Sequence, residues 1–187
     1  MATRLIAWRL QIRIDQPSSD NEEYFELLGT PGGSLEGISL VVLGDGAGDS
    51  GTIEAVVNLT VGCVLACMRA TIRGLIMSVG MQSVALGSNG LLLVTEDTFD
   101  MSLFPAIEPG TTVIVDDLNF ENSDNVNFFL VSDFTGSLGD DLDEDDDGML
   151  DIEPWSEVVD CIALVESFEN GELIYCENTV RELARIS

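Results

Sequence analysis

Apolar and polar residues alternate strictly near the start of the chain, from Trp8 to Asp15. A period of two residues is typical of a strand with one buried face, so this pattern predicts a strand over residues 6–14. A second alternation, at Ile53, Ala55, Val57 and Leu59, predicts another half-buried strand. Both segments therefore favour a β-sheet protein.

Short apolar runs, separated by turns rich in Gly, Pro, Asp and Asn, predict the remaining strands. These runs are residues 23–28, 38–43, 91–94, 113–115, 126–131, 158–166 and 172–176. Many short strands with such turns indicate an all-β sandwich or barrel. The residue pairs predicted to face its core are Ile12/Ile14, Phe25/Leu27, Val41/Leu43 and Val57/Leu59.

Residues 61–86 break this rhythm with an apolar, Met-rich segment. A helix packed on the sandwich is the favoured interpretation, with a membrane helix and a poorly ordered insertion as alternatives. Arg69 and Arg73 oppose a membrane helix, because each Arg at its centre costs about 2.5–3.5 kcal/mol. The apolar residues with helical spacing are Leu65, Met68, Ile72, Leu75 and Val79.

Charge excludes several functions. The 187 residues include 34 Asp and Glu against 7 Arg, with no His and no Lys, for a net charge of −27. Without His or Lys the chain lacks Ser-His-Asp triads, HExxH metal sites and P-loop lysines. The negative surface also repels nucleic acid and anionic membranes, whereas divalent cations and basic partners remain compatible.

Hydrophobic residues make up 45% of the chain, enough for a core, and the length suits one domain. No apolar leader is visible in residues 1–13, so the sequence predicts no secretory signal. We predict a single domain over residues 1–180, interrupted by the insertion at 61–86, with a tail at 181–187.

A dense acidic stretch, DDLDEDDDGMLD, lies at Asp140–Asp151, here called the acidic loop. Calcium loops place oxygen ligands at positions 1, 3, 5, 7 and 9, with Gly at position 6. Counted from Asp143, Gly148 falls at position 6 and Leu150 is an apolar anchor. The predicted calcium ligands are Asp143, Asp145, Asp147, the carbonyl of Met149, and Asp151.

Position 12 of the same count is Pro154, where sensor loops have Glu, and Glu153 is the carboxylate nearest to it. The short ligand set indicates weak structural binding, in the range of about 10⁻⁴–10⁻³ M. The alternative is a solvated acidic loop. Calcium is favoured because seven carboxylates within residues 140–147 repel one another unless a cation neutralises them.

Weaker signals concern cysteines and a second acidic segment. Cys161 and Cys176 flank a predicted turn, so a cross-strand disulfide is one interpretation, and buried free thiols are the favoured one. Asp45 and Asp49 are a second cation candidate. Asp49-Ser50-Gly51-Thr52 matches the aspartic-protease tetrapeptide, but an ordinary glycine-rich turn is the favoured interpretation.

Four segments, taken in order, resemble the lamin-tail-type domain of bacterial extracellular and surface proteins. Residues 23–27 (EYFEL) are similar to its EWxEL strand, and residues 34–40 (SLEGISL) to its DLSGWxL turn. Residues 122–130 (NSDNVNFFL) resemble the NxGDxVxLL hairpin, and residues 158–164 (VVDCIAL) the VVDSVxL strand. The likeness spans roughly residues 10–60 and 88–176.

This resemblance implies an immunoglobulin-like β-sandwich without catalytic residues, on the cell surface or outside the cell. We therefore predict a non-catalytic, calcium-stabilised binding or structural module whose partner is another protein or a glycan. Nucleic acid and a membrane span are not expected. The alternative is a glycan-directed hydrolase that uses carboxylates and holds calcium structurally.

Overall fold

The computed structural model describes residues 7–14, 22–44, 50–60, 83–103, 107–120, 125–165 and 173–181. They form nine strands and one 3₁₀ turn at Met101–Leu103. The strands are β1 Ala7–Arg13, β2 Tyr24–Gly29, β3 Ile38–Gly44, β4 Thr52–Asn58, β5 Leu91–Thr95, β6 Thr112–Val115, β7 Val126–Ser132, β8 Glu157–Val165 and β9 Thr179–Arg181.

The strands make two sheets. One has four strands in the order β1-β2-β5-β6, and the other has five in the order β4-β3-β7-β8-β9. Neighbouring strands are antiparallel except for the pairs β5–β6 and β8–β9. The all-β prediction is confirmed as a sandwich of two sheets, and the described residues contain no α-helix.

The main core lies between the sheets because each contributes one apolar face. Phe25 and Leu27 of β2 are fully buried and meet Leu40 and Val42 of β3 in this cluster. Phe120 and Phe128 add an edge-to-face pair with ring centroids 5.2 Å apart. Burying each large side chain contributes about 1.5–3 kcal/mol.

A second apolar cluster covers the opposite face of the five-stranded sheet, here called the outer cluster. Its buried members are Val41, Leu43, Ile53, Phe129, Val131, Leu142, Ala163, Val165 and Cys176. The prediction that Val41 and Leu43 face the main core is wrong, because Leu40 and Val42 do so instead. β3 is buried on both faces, so its continuous apolar run carries no alternation that could fix its phase.

A bulge in β4 explains the position of Ile53. Val42 pairs with Ala55 and Leu43 pairs with Ile53, so Glu54 is the extra residue of the bulge. An extra residue reverses the facing of side chains beyond it. Val57 therefore faces the main core, whereas Ile53 faces the outer cluster.

Two further predictions need correction or qualification. Residues 173–176 of the predicted strand 172–176 belong to no strand, and the strand that pairs with β8 comes later, at β9. The predicted helix falls mostly on residues 61–82, which lie outside the described residues. Residues 83–86 are not helical: Ala85 bridges Ser34, and Val84 and Leu86 are buried in the main core. Among the described residues, no helix has the length and hydrophobicity to cross a membrane.

Candidate metal site

The acidic loop lies in the connection between β7 and β8 and folds back over the outer face of the five-stranded sheet. Leu142 is buried in the outer cluster and Leu150 packs against it, as expected for an apolar anchor. Just after the loop, Trp155 stacks on Phe129 with ring centroids 5.6 Å apart. These contacts hold an acidic segment against an apolar surface.

Backbone hydrogen bonds tie the start of the loop to β4, the last strand of its sheet. The N–H of Ile53 donates to the carbonyl of Asp140 (2.9 Å). The N–H of Leu142 donates to the carbonyl of Gly51 (3.2 Å). The N–H of Gly139 donates in turn to the carbonyl of Ile53 (2.8 Å). The loop thus continues the sheet for a few residues before it turns into the acidic stretch.

Asp143, at position 1, is the only fully buried carboxylate among the predicted ligands. Its Oδ1 accepts the N–H of Asp147 (3.2 Å), and its Oδ2 accepts the N–H of Gly148 (2.9 Å). Gly148 has φ of +88°, a left-handed conformation that glycine adopts without the steric cost of a Cβ. The sharp turn predicted at position 6 is therefore present, and it orients the carboxylate.

Tyr175 supplies a third hydrogen bond, from its hydroxyl to Asp143 Oδ2 (2.8 Å). Its own N–H donates to Asn127 Oδ1 of β7 (2.9 Å), which fixes the residue on the sheet. Burial, followed by the hydrogen bond to Asp143 and its charge, raises the pKa of Tyr175. The hydroxyl therefore keeps its proton and serves as a donor.

Cys176 forms a disulfide with Cys161 of β8, with the two Cα atoms 5.9 Å apart. The favoured prediction of free thiols at this pair is therefore wrong. The bridge joins β8 to the segment at residues 173–176, which follows the predicted turn, within the outer cluster. Because Tyr175 directly precedes Cys176, the disulfide also fixes the residue that contacts Asp143.

Asp143, Asp145 and Asp151 come together at the mouth of the loop. One carboxylate oxygen from each lies within 4.8 Å of the other two, a spacing that can hold a metal ion. Asp151 is held by its N–H bond to the Leu142 carbonyl (2.7 Å), and its Oδ2 accepts the N–H of Glu144 (2.9 Å). Three of the predicted ligands therefore converge, and we call them the Asp triad.

The electrostatics of the triad are unfavourable without a cation. The pKa of Asp145 is raised, first by the charge of Asp147, then by partial desolvation and by the charges of Asp151 and Asp143. Like charges at this spacing repel one another, and a bound cation would reverse that effect.

The other predicted ligands have different surroundings. Asp147 is not a member of the triad, and its Oδ1 accepts the N–H of Met149 (2.9 Å). The Met149 side chain is 71% exposed, and coordination by its carbonyl stays a prediction. Pro154 accepts the N–H of Thr135 (2.8 Å), and Glu153 is exposed outside the triad. Asp45 and Asp49 lie outside the described residues.

The sequence did not reveal the roles of Tyr175 and Gly51. Gly51 has φ of +90°, and a Cβ there would lie 2.9 Å from the Asp143 Cβ and 3.1 Å from the Tyr175 hydroxyl. The absent side chain therefore makes room for the buried end of the loop. For Tyr175, the one signal in the sequence was its position beside Cys176. It could have placed Tyr175 near the loop only if the disulfide had been assumed.

Comparison of the chain with protein-family models, curated proteins and solved structures finds no match.

Proposed function

We propose that this protein is a non-catalytic binding or structural module whose acidic loop is stabilised by calcium. The observation that carries the proposal is the Asp triad, with its central carboxylate already buried and held by three donors. Ligands that are oriented before binding lose little conformational freedom when the metal arrives. The acidic loop would then work as a clamp on the outer cluster.

Calcium is favoured by the chemistry of the donors. The triad offers carboxylate oxygens, which suit hard cations, whereas zinc prefers Cys and His ligands. Magnesium requires near-ideal octahedral geometry and gives up its waters reluctantly, while calcium accepts irregular sets of six to eight oxygens. Because Pro154 replaces the bidentate Glu of sensor loops, we expect weak binding, at about 10⁻⁴–10⁻³ M.

The same affinity suits an extracellular or cell-surface location, where calcium is abundant. We propose that the fold is of the lamin-tail type, an immunoglobulin-like sandwich that serves as an accessory domain. The four-segment likeness and the β-sandwich architecture support this assignment. Its partner would be another protein or a glycan; the net charge of −27 disfavours nucleic acid.

We do not propose that the loop hydrolyses glycans. Paired glycosidase carboxylates lie about 5–9.5 Å apart, with one of them free to protonate the leaving group. The oxygens of the Asp triad lie within 4.8 Å of one another, and those of Asp143 accept three hydrogen bonds. This arrangement fits an ion better than a proton donor.

Thermal unfolding in constant salt, with calcium, magnesium or EGTA, tests the metal site. Ligand linkage predicts that about 10 mM calcium stabilises the fold by about 1.4–2.7 kcal/mol for the affinity given above. For a domain of this size the unfolding midpoint should rise by about 3–11 °C. Equimolar magnesium should give a markedly smaller shift.

Asp145→Asn should lower the midpoint in calcium but not in EGTA. In EGTA it relieves the repulsion that raises the pKa of Asp145, so the midpoint should not fall. In calcium it removes a ligand, so most of the calcium-induced rise should be lost. Glu144→Gln is the matched control, because it removes one charge from an exposed residue outside the triad. Equal calcium responses in both variants would overturn the proposal.

A further inference from the structure

A groove lies on the outer face of the four-stranded sheet, on the side of that sheet away from the main core. It encloses about 240 Å³ between β1, β2, β5 and the connection from β5 to β6. Its floor includes Gln11, Glu26 and Leu93, and its wall includes Phe99 and Glu108. The acidic loop covers the other sheet, so this groove is separate from the candidate metal site.

Aromatic rings and carboxylates line the groove together. Tyr24 and Phe99 pack edge to face with ring centroids 5.8 Å apart and an interplanar angle of 86°. Glu26 is half-buried, and Glu108 is exposed at the rim. The turn that presents Glu108 is fixed, because its carbonyl accepts both the N–H and the hydroxyl of Thr111 (3.2 and 2.8 Å).

We propose that this groove binds an arginine side chain presented by a basic segment of a partner protein. A guanidinium group stacks on aromatic rings through its face and donates to carboxylates through its edge. The groove offers both partners within one concave surface, and the described residues that line it include no Arg. A net charge of −27 would also attract a basic partner over long distances.

Among the described residues, the arginines near the groove belong to β1. Arg13 pairs with Glu22, and Arg9 is exposed two residues from Gln11 on the same strand. Neither lines the groove. Apolar groups at its rim complete the surface for the methylene stem of an arginine: Met101 is 41% exposed and Ile107 is 37% exposed.

A second copy of this chain is a poor occupant because both copies carry the same large negative charge. A neutral glycan would use the aromatic rings but would leave the two carboxylates without a cationic partner. The proposal specifies the partner of the binding module proposed above. The arginine proposal does not depend on the metal site, so a negative result for one leaves the other standing.

The test is an amide-shift titration of the whole protein by NMR, in about 150 mM salt to screen non-specific attraction. The probe is the blocked tripeptide Gly-Arg-Gly, and its control carries citrulline, which has the same shape without the charge. We expect the arginine peptide to shift the amides of Leu91 and Leu93 and to bind at least five-fold more tightly than the citrulline peptide. The same result is expected in calcium and in EGTA.

Glu26→Gln should weaken the arginine peptide about three- to ten-fold, and Tyr24→Leu about two- to five-fold. Glu36→Gln is the matched control, since it removes one exposed charge from the turn before β3, outside the groove. Equal effects of Glu26→Gln and Glu36→Gln would show only non-specific attraction and overturn the proposal. Equal binding of the citrulline peptide, or binding of a neutral oligosaccharide in place of the arginine peptide, would overturn it too.

Discussion

The hydroxyl of Tyr175 offers the most direct test of how the acidic loop is built. Tyr175→Phe removes one oxygen and with it the 2.8 Å hydrogen bond to Asp143. A hydrogen bond to a charged group contributes about 1.5–3 kcal/mol. We take the lower end because Tyr175 is only half-buried and Asp143 keeps its two backbone donors. About 1.5 kcal/mol corresponds to a midpoint lowered by about 3–6 °C in EGTA.

The same substitution should weaken calcium binding. Residues that orient a metal ligand through a hydrogen bond typically affect metal affinity about 10–100-fold, and we expect the lower figure here. Isothermal titration with calcium, together with thermal unfolding in EGTA, measures the two effects independently. A ten-fold weaker site needs about ten-fold more calcium to reach the same stabilisation.

Tyr24→Phe is the matched control. It makes the same chemical change in the other tyrosine of the chain, which lies on the opposite sheet. Phe keeps the ring that packs on Phe99, and no described residue hydrogen-bonds to the Tyr24 hydroxyl, so this change should stay within about 0.5 kcal/mol. If Tyr175→Phe matched this control in both assays, the inferred role of the hydroxyl in the metal site would be refuted.

Two other predictions concern the surroundings of the acidic loop. Replacing Cys161 and Cys176 together by Ala should cost about 3 kcal/mol, the loop-closure value for their separation of 15 residues, and a reductant should lower the wild-type midpoint similarly. No effect of either treatment in denaturant unfolding would refute the bridge. Gly51→Ala should destabilise more than Gly139→Ala by about 1–3 kcal/mol and weaken calcium binding. Both glycines have positive φ, but only at Gly51 would a Cβ meet Asp143; equal costs would contradict that contact.

Part of the strand pattern was predictable because a strand buried on one face alternates apolar and polar residues along the sequence. β1 faces the main core with alternate residues, and its alternation was visible. β3 is buried on both faces, so its apolar run predicted a strand without indicating which residues face which cluster. The bulge at Glu54 likewise depends on how β4 pairs with its neighbour, which composition does not encode.

The acidic loop shows the same division between local and distant causes. Asp143, Gly148 and Leu150 could be placed because their spacing is a local property of the turn. Tyr175 could not, since it reaches Asp143 from 32 residues away, after another strand and a turn. The disulfide was left as the less favoured alternative because no spacing rule separates a pair of cysteines in contact from two buried thiols.

The attachment of the acidic loop to β4 has a consequence for association between molecules. β4 ends its sheet, and residues 139–142 occupy the N–H and C=O of Ile53 and the C=O of Gly51 just before the strand. Were the loop to lift away, those groups would become a template for a strand from another chain. Calcium would then govern association as well as stability. Removal of calcium would loosen the contact of the acidic loop with β4, and added salt would screen the negative charge that keeps copies of the chain apart. Low calcium with high salt is therefore the condition under which strand exchange or aggregation should begin at this edge.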